Sequence, residues 1–215
     1  MLVKEAHEFG KISLGNTKMP GTTYAVDAFA CITGSKLAKV EGSICNQCNM
    51  IRLQKLRPSV DKGYKKNLFK WKRWDNFGNL GKQMWIKAMV FQIFRAKVEE
   101  HRWFDSGDLQ SLGMLLAIAE VARQTPLVKH WLPTKEYGIY TQYLKENTEP
   151  DNLVVRVSAP MIDGKPGKAF RNTSTVHRNS DPLGFECKAR TRGNSCGPCR
   201  ACWNREIENV SYPKH

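Results

Sequence analysis

Seven cysteines, gathered in two groups near opposite ends of the chain, constrain this sequence more than any other feature. In a reducing compartment, thiols at such close spacing suit metal ligation better than disulfide formation. A fold for these 215 residues therefore has to bring each group together around a metal. The first group, with the spacing C-x13-C-x2-C, is Cys31, Cys45 and Cys48; the second, with the spacing C-x8-C-x2-C-x2-C, is Cys187, Cys196, Cys199 and Cys202.

The first group offers three thiolates, an unusual complement for zinc because structural zinc takes four ligands. Three cysteines suit a [4Fe–4S] cluster, which then keeps one iron open to a small molecule. The alternative is that Cys31 is a core residue and that Cys45 and Cys48 form half of a zinc site completed elsewhere. The residues favour the cluster.

The second group lies in the stretch CKARTRGNSCGPCRACW, among glycine, serine and arginine residues. Four exposed thiols this close together are prone to oxidation unless they bind a metal. The run C-x2-C-x2-C is typical of ferredoxin-like ligation of a [4Fe–4S] cluster. Zinc at these C-terminal cysteines is the alternative.

The interval between the two groups alternates between strand and helix patterns, which is typical of parallel α/β folds. We therefore expect an α/β protein with a partial, mostly parallel (β/α) barrel over residues 1–165 and a basic, cysteine-rich, metal-binding tail over residues 166–215. The hydrophobic content of 41% is sufficient for a packed core. Strands are predicted at 22–28, 101–104, 128–132 and 152–158, and helices at 50–56, 80–98, 112–125 and 136–145.

Each predicted strand ends in polar residue types. In parallel α/β barrels and sheets, ligands bind at the carboxyl ends of the strands. We expect these side chains to line one mouth together with the cysteine loop, although any one of them has the alternative role of capping the helix that follows. The residues concerned are Asp105, Ser106, Gly107, Asp108, Thr134, Lys135, Arg156 and Ser158.

The segment DKGYKKNLFKWKRW, residues 61–74, interleaves cations with aromatic side chains. Cations neutralise phosphates and aromatic rings stack on unpaired bases, so the segment predicts a nucleic-acid contact. The net charge of +14 agrees with a polyanionic partner. The alternative is a helix whose aromatic rings pack on the core and whose lysines point to water. The predicted contacts are Lys62, Lys65, Lys66, Lys70, Trp71, Lys72 and Arg73.

The sequence contains no apolar run of eighteen residues, so no membrane span is expected. Residues 1–10 carry charges of both signs and no apolar stretch, unlike a secretory signal. We expect a cytoplasmic protein, and the sequence leaves its oligomeric state open.

The stretches GNTKMPGTTY, EGSICNQC, DSGDLQS, LPTKEY and CGPCRACW resemble the phage gene product eighty-eight family, and they span most of the chain. More widely, a strand followed by a three-cysteine loop, βα units and a terminal cysteine motif resembles radical S-adenosylmethionine (radical SAM) enzymes with an auxiliary cluster. Those enzymes use the spacing C-x3-C-x2-C with an aromatic residue beside the last cysteine. Here the first gap is thirteen residues, and Gln47 and Asn49 flank Cys48.

The radical SAM resemblance implies a barrel of that type and iron–sulfur chemistry in the host cytoplasm. Cys31, Cys45 and Cys48 would then hold the cluster that binds S-adenosylmethionine. The implied cofactor-binding residues are Ser106, Gly107, Asp108, Arg156 and Ser158. Asp108 and Lys135 are the implied catalytic residues, with Lys135 or Arg156 facing a carboxylate of the cofactor or substrate. The tail cysteines would relay electrons or anchor the substrate.

A second resemblance competes with the first. The motif FDSGDLQS is similar to the DSGGFQ turn of tRNA-guanine transglycosylases and their phage relatives, which are zinc-bearing barrels that exchange a base. That resemblance implies that Asp105 contacts the base and that the tail cysteines bind zinc. A non-catalytic, zinc-stabilised phage protein that binds nucleic acid is the further alternative. Whether the chain is an enzyme therefore stays open at this stage.

Overall fold

The strands form a single sheet in which every neighbouring pair runs parallel. The computed structural model describes residues 1–15 and 17–214. Within that part of the chain the strands are β1 (Thr22–Tyr24), β2 (Glu100–Trp103), β3 (Lys129–Thr134), β4 (Leu153–Ile162), β5 (Thr173–His177), β6 (Phe185–Glu186) and β7 (Asn209–Pro213). Their order in the sheet is β1-β2-β3-β4-β5-β7-β6.

The first five strands follow one another in chain order across the sheet. Because crossovers between parallel strands are right-handed, such an order places the connecting helices on one face, as in a partial barrel. The expected α/β class with a mostly parallel sheet is confirmed. The helices are α1 (Val3–His7), α2 (Ile32–Leu37), α3 (Asn49–Leu56), α4 (Pro58–Asn76), α5 (Gly78–Ala96), α6 (Leu112–Gln124) and α7 (Tyr137–Glu146).

Helix boundaries follow local chemistry. Pro58 opens α4 at a position that needs no backbone N–H. The Ser111 hydroxyl caps α6 by accepting a bond from Met114 N at 3.1 Å. Among the described residues, no helix is long and apolar enough to cross a membrane.

The two faces of the sheet differ in chemistry. On β4, Leu153, Val155 and Val157 lie in the core beneath the helices, whereas Arg156 and Ser158 lie on the opposite face. On β2, Trp103 belongs to the same core and packs on Trp85 of α5, with ring centroids 6.0 Å apart. The face without helices therefore carries the polar side chains.

The C-terminal part of the chain contributes three strands to this sheet. β5 pairs with β4, β7 with β5, and β6 with β7. The sequence placed a boundary at residue 165, but the sheet continues through it. The segment 201–208 then folds over the helix-free face, where Trp203 packs edge-on against Trp131 of β3 at 5.2 Å.

Candidate cysteine-lined cavity

A cavity of about 410 Å³ opens on the helix-free face, near the carboxyl ends of the strands. Cavities of this size hold one small molecule. The cysteine loop lies at one end, and β5 and β7 form part of the wall. Of the residues predicted from strand ends and cysteines, those that line it are Cys45, Cys48, Gly107, Asp108, Thr134, Lys135 and Ser158.

The cysteine loop is tied to two neighbouring strand ends. Ile44 N donates to the Pro160 carbonyl of β4 at 3.0 Å, and Ser43 bridges Met161. Thr33 of α2 donates from its N and Oγ1 to the Glu136 carboxylate, both at 2.8 Å. These bonds hold the loop over the mouth of the sheet.

Two of the three sulfur atoms of the loop, those of Cys31 and Cys45, lie near Gly34. An ideal Cβ on Gly34 would lie 3.7 Å from both Cys31 Sγ and Cys45 Sγ, so these two atoms are less than twice that distance apart. Cys48 precedes α3 and interacts electrostatically with Cys31. Cys31 is half-buried, which does not suit the alternative of a core cysteine.

Burial raises the pKa of both the Cys31 and the Cys45 thiol. Among the described residues, no three Cys, His, Asp or Glu side chains surround one point as the ligands of a single metal ion do. Tetrahedral zinc with bonds of about 2.3 Å needs its sulfurs about 3.8 Å apart. A four-iron cluster holds each cysteine on a different iron and spaces them more widely. The loop therefore holds its thiols without a ready-made site for one metal ion among the described residues.

The turn after β2 places Asp108 beneath the loop. Asp108 Oδ1 accepts bonds from Leu109 N at 2.8 Å and Thr134 Oγ1 at 2.6 Å, and Oδ2 accepts one from Lys135 N at 2.8 Å. Burial raises the pKa of this carboxyl to about 6. Asp108 thus joins the ends of β2 and β3, and Oδ2 can accept one more bond.

The glycine in this turn is required by the backbone. Gly107 has φ of +81°, and a Cβ there would meet Val26 Cγ2 at 2.3 Å. Ser106 is buried against Gln54 and does not line the cavity. The Ser158 hydroxyl lies in the wall, 3.0 Å from the Ser174 hydroxyl.

Asp105 and Arg156 lie outside the cavity lining. Asp105 Oδ2 accepts a long bond of 3.5 Å from Thr23, its Oδ1 is buried without a partner, and burial raises the pKa of this carboxyl. Arg156 was expected to face a cofactor. Instead it is fully buried and donates to six backbone carbonyls of residues 173–208, at 2.7 to 3.4 Å, because the tail covers its face of the sheet.

The tail cysteines lie on the same face, deeper in the sheet. Cys196 N donates to Lys18 O, just before β1, and Cys187 N donates to Ser211 O of β7. Cys202 Sγ lies 3.2 Å from Tyr212 Oη, and burial raises the pKa of this thiol to about 11. Cys187, Cys196 and Cys199 interact electrostatically, but among the described residues they do not form a group that could hold a metal ion.

The predicted nucleic-acid segment is part of α4, and its residues divide between core and solvent. Trp71 is 1% exposed and packs on Trp85 at 5.1 Å, so it is not available to stack on a base. Lys70 is also buried and donates to the His7 carbonyl. Lys70 and Trp71 lie on the side of α4 that faces the core, as the spacing of 3.6 residues per turn requires. The remaining cations are exposed: Lys62, Lys65, Lys66, Lys72 and Arg73.

Arg102 and Tyr212 are among the cavity residues that were not predicted. Arg102 lies between two buried residues of β2, His101 and Trp103. Side chains alternate along a strand, so Arg102 points away from the core that contains Trp103 and towards the cavity. Tyr212 lies on β7, a strand with no clear sequence signal. Both line the deeper end of the cavity.

The chain is thus an α/β protein with an all-parallel sheet and a cysteine-lined cavity at the carboxyl ends of its strands. The model of the Gene product 88 family matches residues 13–205, and the chain belongs to that family. No curated protein matches the chain significantly. No solved structure matches it significantly either.

Proposed function

We propose that this protein binds a [4Fe–4S] cluster through Cys31, Cys45 and Cys48, and that it acts on a small molecule in the adjoining cavity, as radical SAM enzymes do. The main support for this proposal is that residues from distant parts of the chain line the same cavity. The cysteine loop, the Asp108 turn and Lys135 come from three separate parts of the chain and meet at one cavity. The tail cysteines supply a second metal site in this proposal.

The donor set supports the cluster. The loop offers three sulfurs, and Gly34, which has no side chain, lies against those of Cys31 and Cys45. A cluster held by three cysteines leaves one iron open to a small-molecule ligand and supplies single electrons. Since burial keeps the thiols of Cys31 and Cys45 protonated, loading the site releases protons.

The other residues suit the polar groups of a bound amino-acid moiety such as that of S-adenosylmethionine. Asp108 Oδ2 has one protein donor and can accept a further bond from an ammonium group. Lys135, whose backbone holds Asp108 in place, lines the cavity and suits a carboxylate. Cys45 and Cys48 line the same cavity, so a ligand there lies close to the loop.

The test is the iron, zinc and acid-labile sulfide content of protein purified without oxygen, with a visible absorption spectrum of the same sample. We expect about four irons with equal sulfide for the loop, about eight if the tail also holds a cluster, and a broad visible band. Addition of S-adenosylmethionine to the reduced protein should alter its electron paramagnetic resonance spectrum. Zinc alone in a colourless protein would refute the proposal and favour a zinc-stabilised protein.

Gly34 provides a test by substitution. A Cβ at this position would approach Cys31 Cβ to 2.9 Å and the sulfurs of Cys31 and Cys45 to 3.7 Å each. We expect Gly34→Ala to keep the fold, because the residue is helical, but to lower the iron bound per chain severalfold. The measurements are iron content after reconstitution and a thermal melt.

The matched control for this substitution is Gly63→Ala. Gly63 lies within α4, and a Cβ there meets nothing within 4 Å. That variant should load normally and gain up to about 1 kcal/mol from helix propensity. Equal iron content in the two variants would contradict the role given to Gly34.

A further inference from the structure

We infer that the cavity binds a small anionic molecule, carrying a carboxylate or a phosphate, through the guanidinium of Arg102. This inference rests on the proposed function, in which the cavity binds a small molecule, and it specifies the chemical class of that molecule. Arg102 lies on β2 and lines the cavity together with residues of the cysteine loop. Its register partner on β3 is Trp131, about 13 Å along that strand from Lys135.

Arg102 is held in place by contacts that leave its guanidinium without an ion-pair partner among the described residues, although it interacts electrostatically with the buried Asp105 carboxyl. The guanidinium carbon lies 4.5 Å from the Trp131 ring centroid, and Nη1 donates to Met19 Sδ at 3.4 Å. A thioether is a weak acceptor. Nε is shielded from solvent and has no hydrogen-bond partner. Within the described residues, Arg102 forms no ion pair.

The other arginines on this face show how the fold satisfies a guanidinium that has a structural role. Arg156 donates to six carbonyls. Arg200 pairs with Glu100 at 2.6 Å, and Arg205 pairs with Glu149 at 3.5 Å. Arg102 differs from all three. A partly buried guanidinium stacked on an indole presents a rigid fork that matches carboxylate and phosphate oxygens.

The surroundings favour an anion. Lys135 and Lys214 also line the cavity, whereas the lining carboxylate is Asp108, which already accepts three protein bonds. Thr175 adds a polar residue to the wall. The volume of about 410 Å³ suits a small molecule rather than a polymer.

The tail thiols and the buried Asp105 carboxyl are the other candidate partners for this charge, since Arg102 lowers the pKa of Cys196, Cys202 and Asp105 against the effect of their burial. An experiment that separates an anionic ligand from the tail metal is therefore needed. The Nε–H resonance of Arg102 in a proton–nitrogen correlation spectrum reports on this group alone, and it is identified by its absence in Arg102→Lys.

The probes are inorganic phosphate and acetate, titrated at constant ionic strength with chloride as the reference. We expect one of the two to shift the Arg102 resonance saturably and to bind Arg102→Gln ten- to a hundredfold more weakly. Phosphate as the effective probe would indicate a phosphorylated ligand, and acetate a carboxylate. The control is Arg95→Gln, an exposed site at the end of α5, which should keep its affinity within about twofold.

Arg102→Lys keeps the charge without the fork and should also bind more weakly, which covers the case in which Arg102→Gln does not fold. Equal affinity in the wild type and Arg102→Gln, or a resonance that responds to metal loading and to neither anion, would overturn the inference. Anion binding in a protein found to contain only zinc would refute the cluster and leave the role of Arg102 standing.

Discussion

Cys45→Ser is expected to remove nearly all of the iron held by the loop while the fold persists. Two remaining thiolates do not hold a cluster, and the carboxylates that interact with Cys45, those of Asp108 and Glu136, are already engaged by protein donors. Asp108 is engaged by three protein donors and Lys135 is a cation. Serine matches the shape of cysteine, and Cys45 is half-buried, so the thermal melt should shift by only a few degrees.

The matched variant is Cys199→Ser in the tail. It should leave the iron and visible band of the loop unchanged and affect only the metal of the second group. The measurements are iron, zinc and sulfide per chain and the absorption spectrum, all on protein purified without oxygen. Unchanged iron in Cys45→Ser would show that the loop is not the cluster site, and equal losses in both variants would show one shared site.

The sequence predicts the central part of this fold well because the signals there are local. The run that forms β4 is rich in apolar, β-branched residues, and α5 and α6 have apolar residues at helical spacing. Once the strands are parallel, their carboxyl ends must meet at one edge. For that reason Asp108, Lys135 and Ser158 could be placed at the cavity with the cysteine loop.

The parts that the sequence did not predict depend on contacts between distant residues. β5 and β7 are short runs, TSTVH and NVSYP, and gain their stability from pairing across the sheet. Trp71 follows Leu68 at helical spacing, which turns it inward even though lysines surround it in sequence. Arg156 lies in a strand with a clear pattern, but nothing local shows that residues 201–208 return to cover it.

Arg156 is the residue on which the packing of the tail depends most. Its Nε donates to Cys202 O at 3.0 Å, Nη1 to Ile207 O at 2.8 Å, and Nη2 to Asn204 O at 2.7 Å. Further bonds reach the carbonyls of Thr173, Ala201 and Glu208. One buried guanidinium thus satisfies the backbone of the segment between the last tail cysteine and β7.

Arg156→Met should therefore lower the free energy of unfolding by about 3 to 5 kcal/mol, because it leaves buried carbonyls without donors. Lysine at this position restores the charge but not the planar guanidinium. The free energy of unfolding of Arg156→Lys should therefore lie between those of the wild type and Arg156→Met. Urea denaturation measures the change, and faster amide exchange over 201–208 should locate it. The control is Arg171→Met, whose exposed pair with Glu206 is worth less than about 1 kcal/mol. Equal stability of the two methionine variants would show that the tail packs without Arg156.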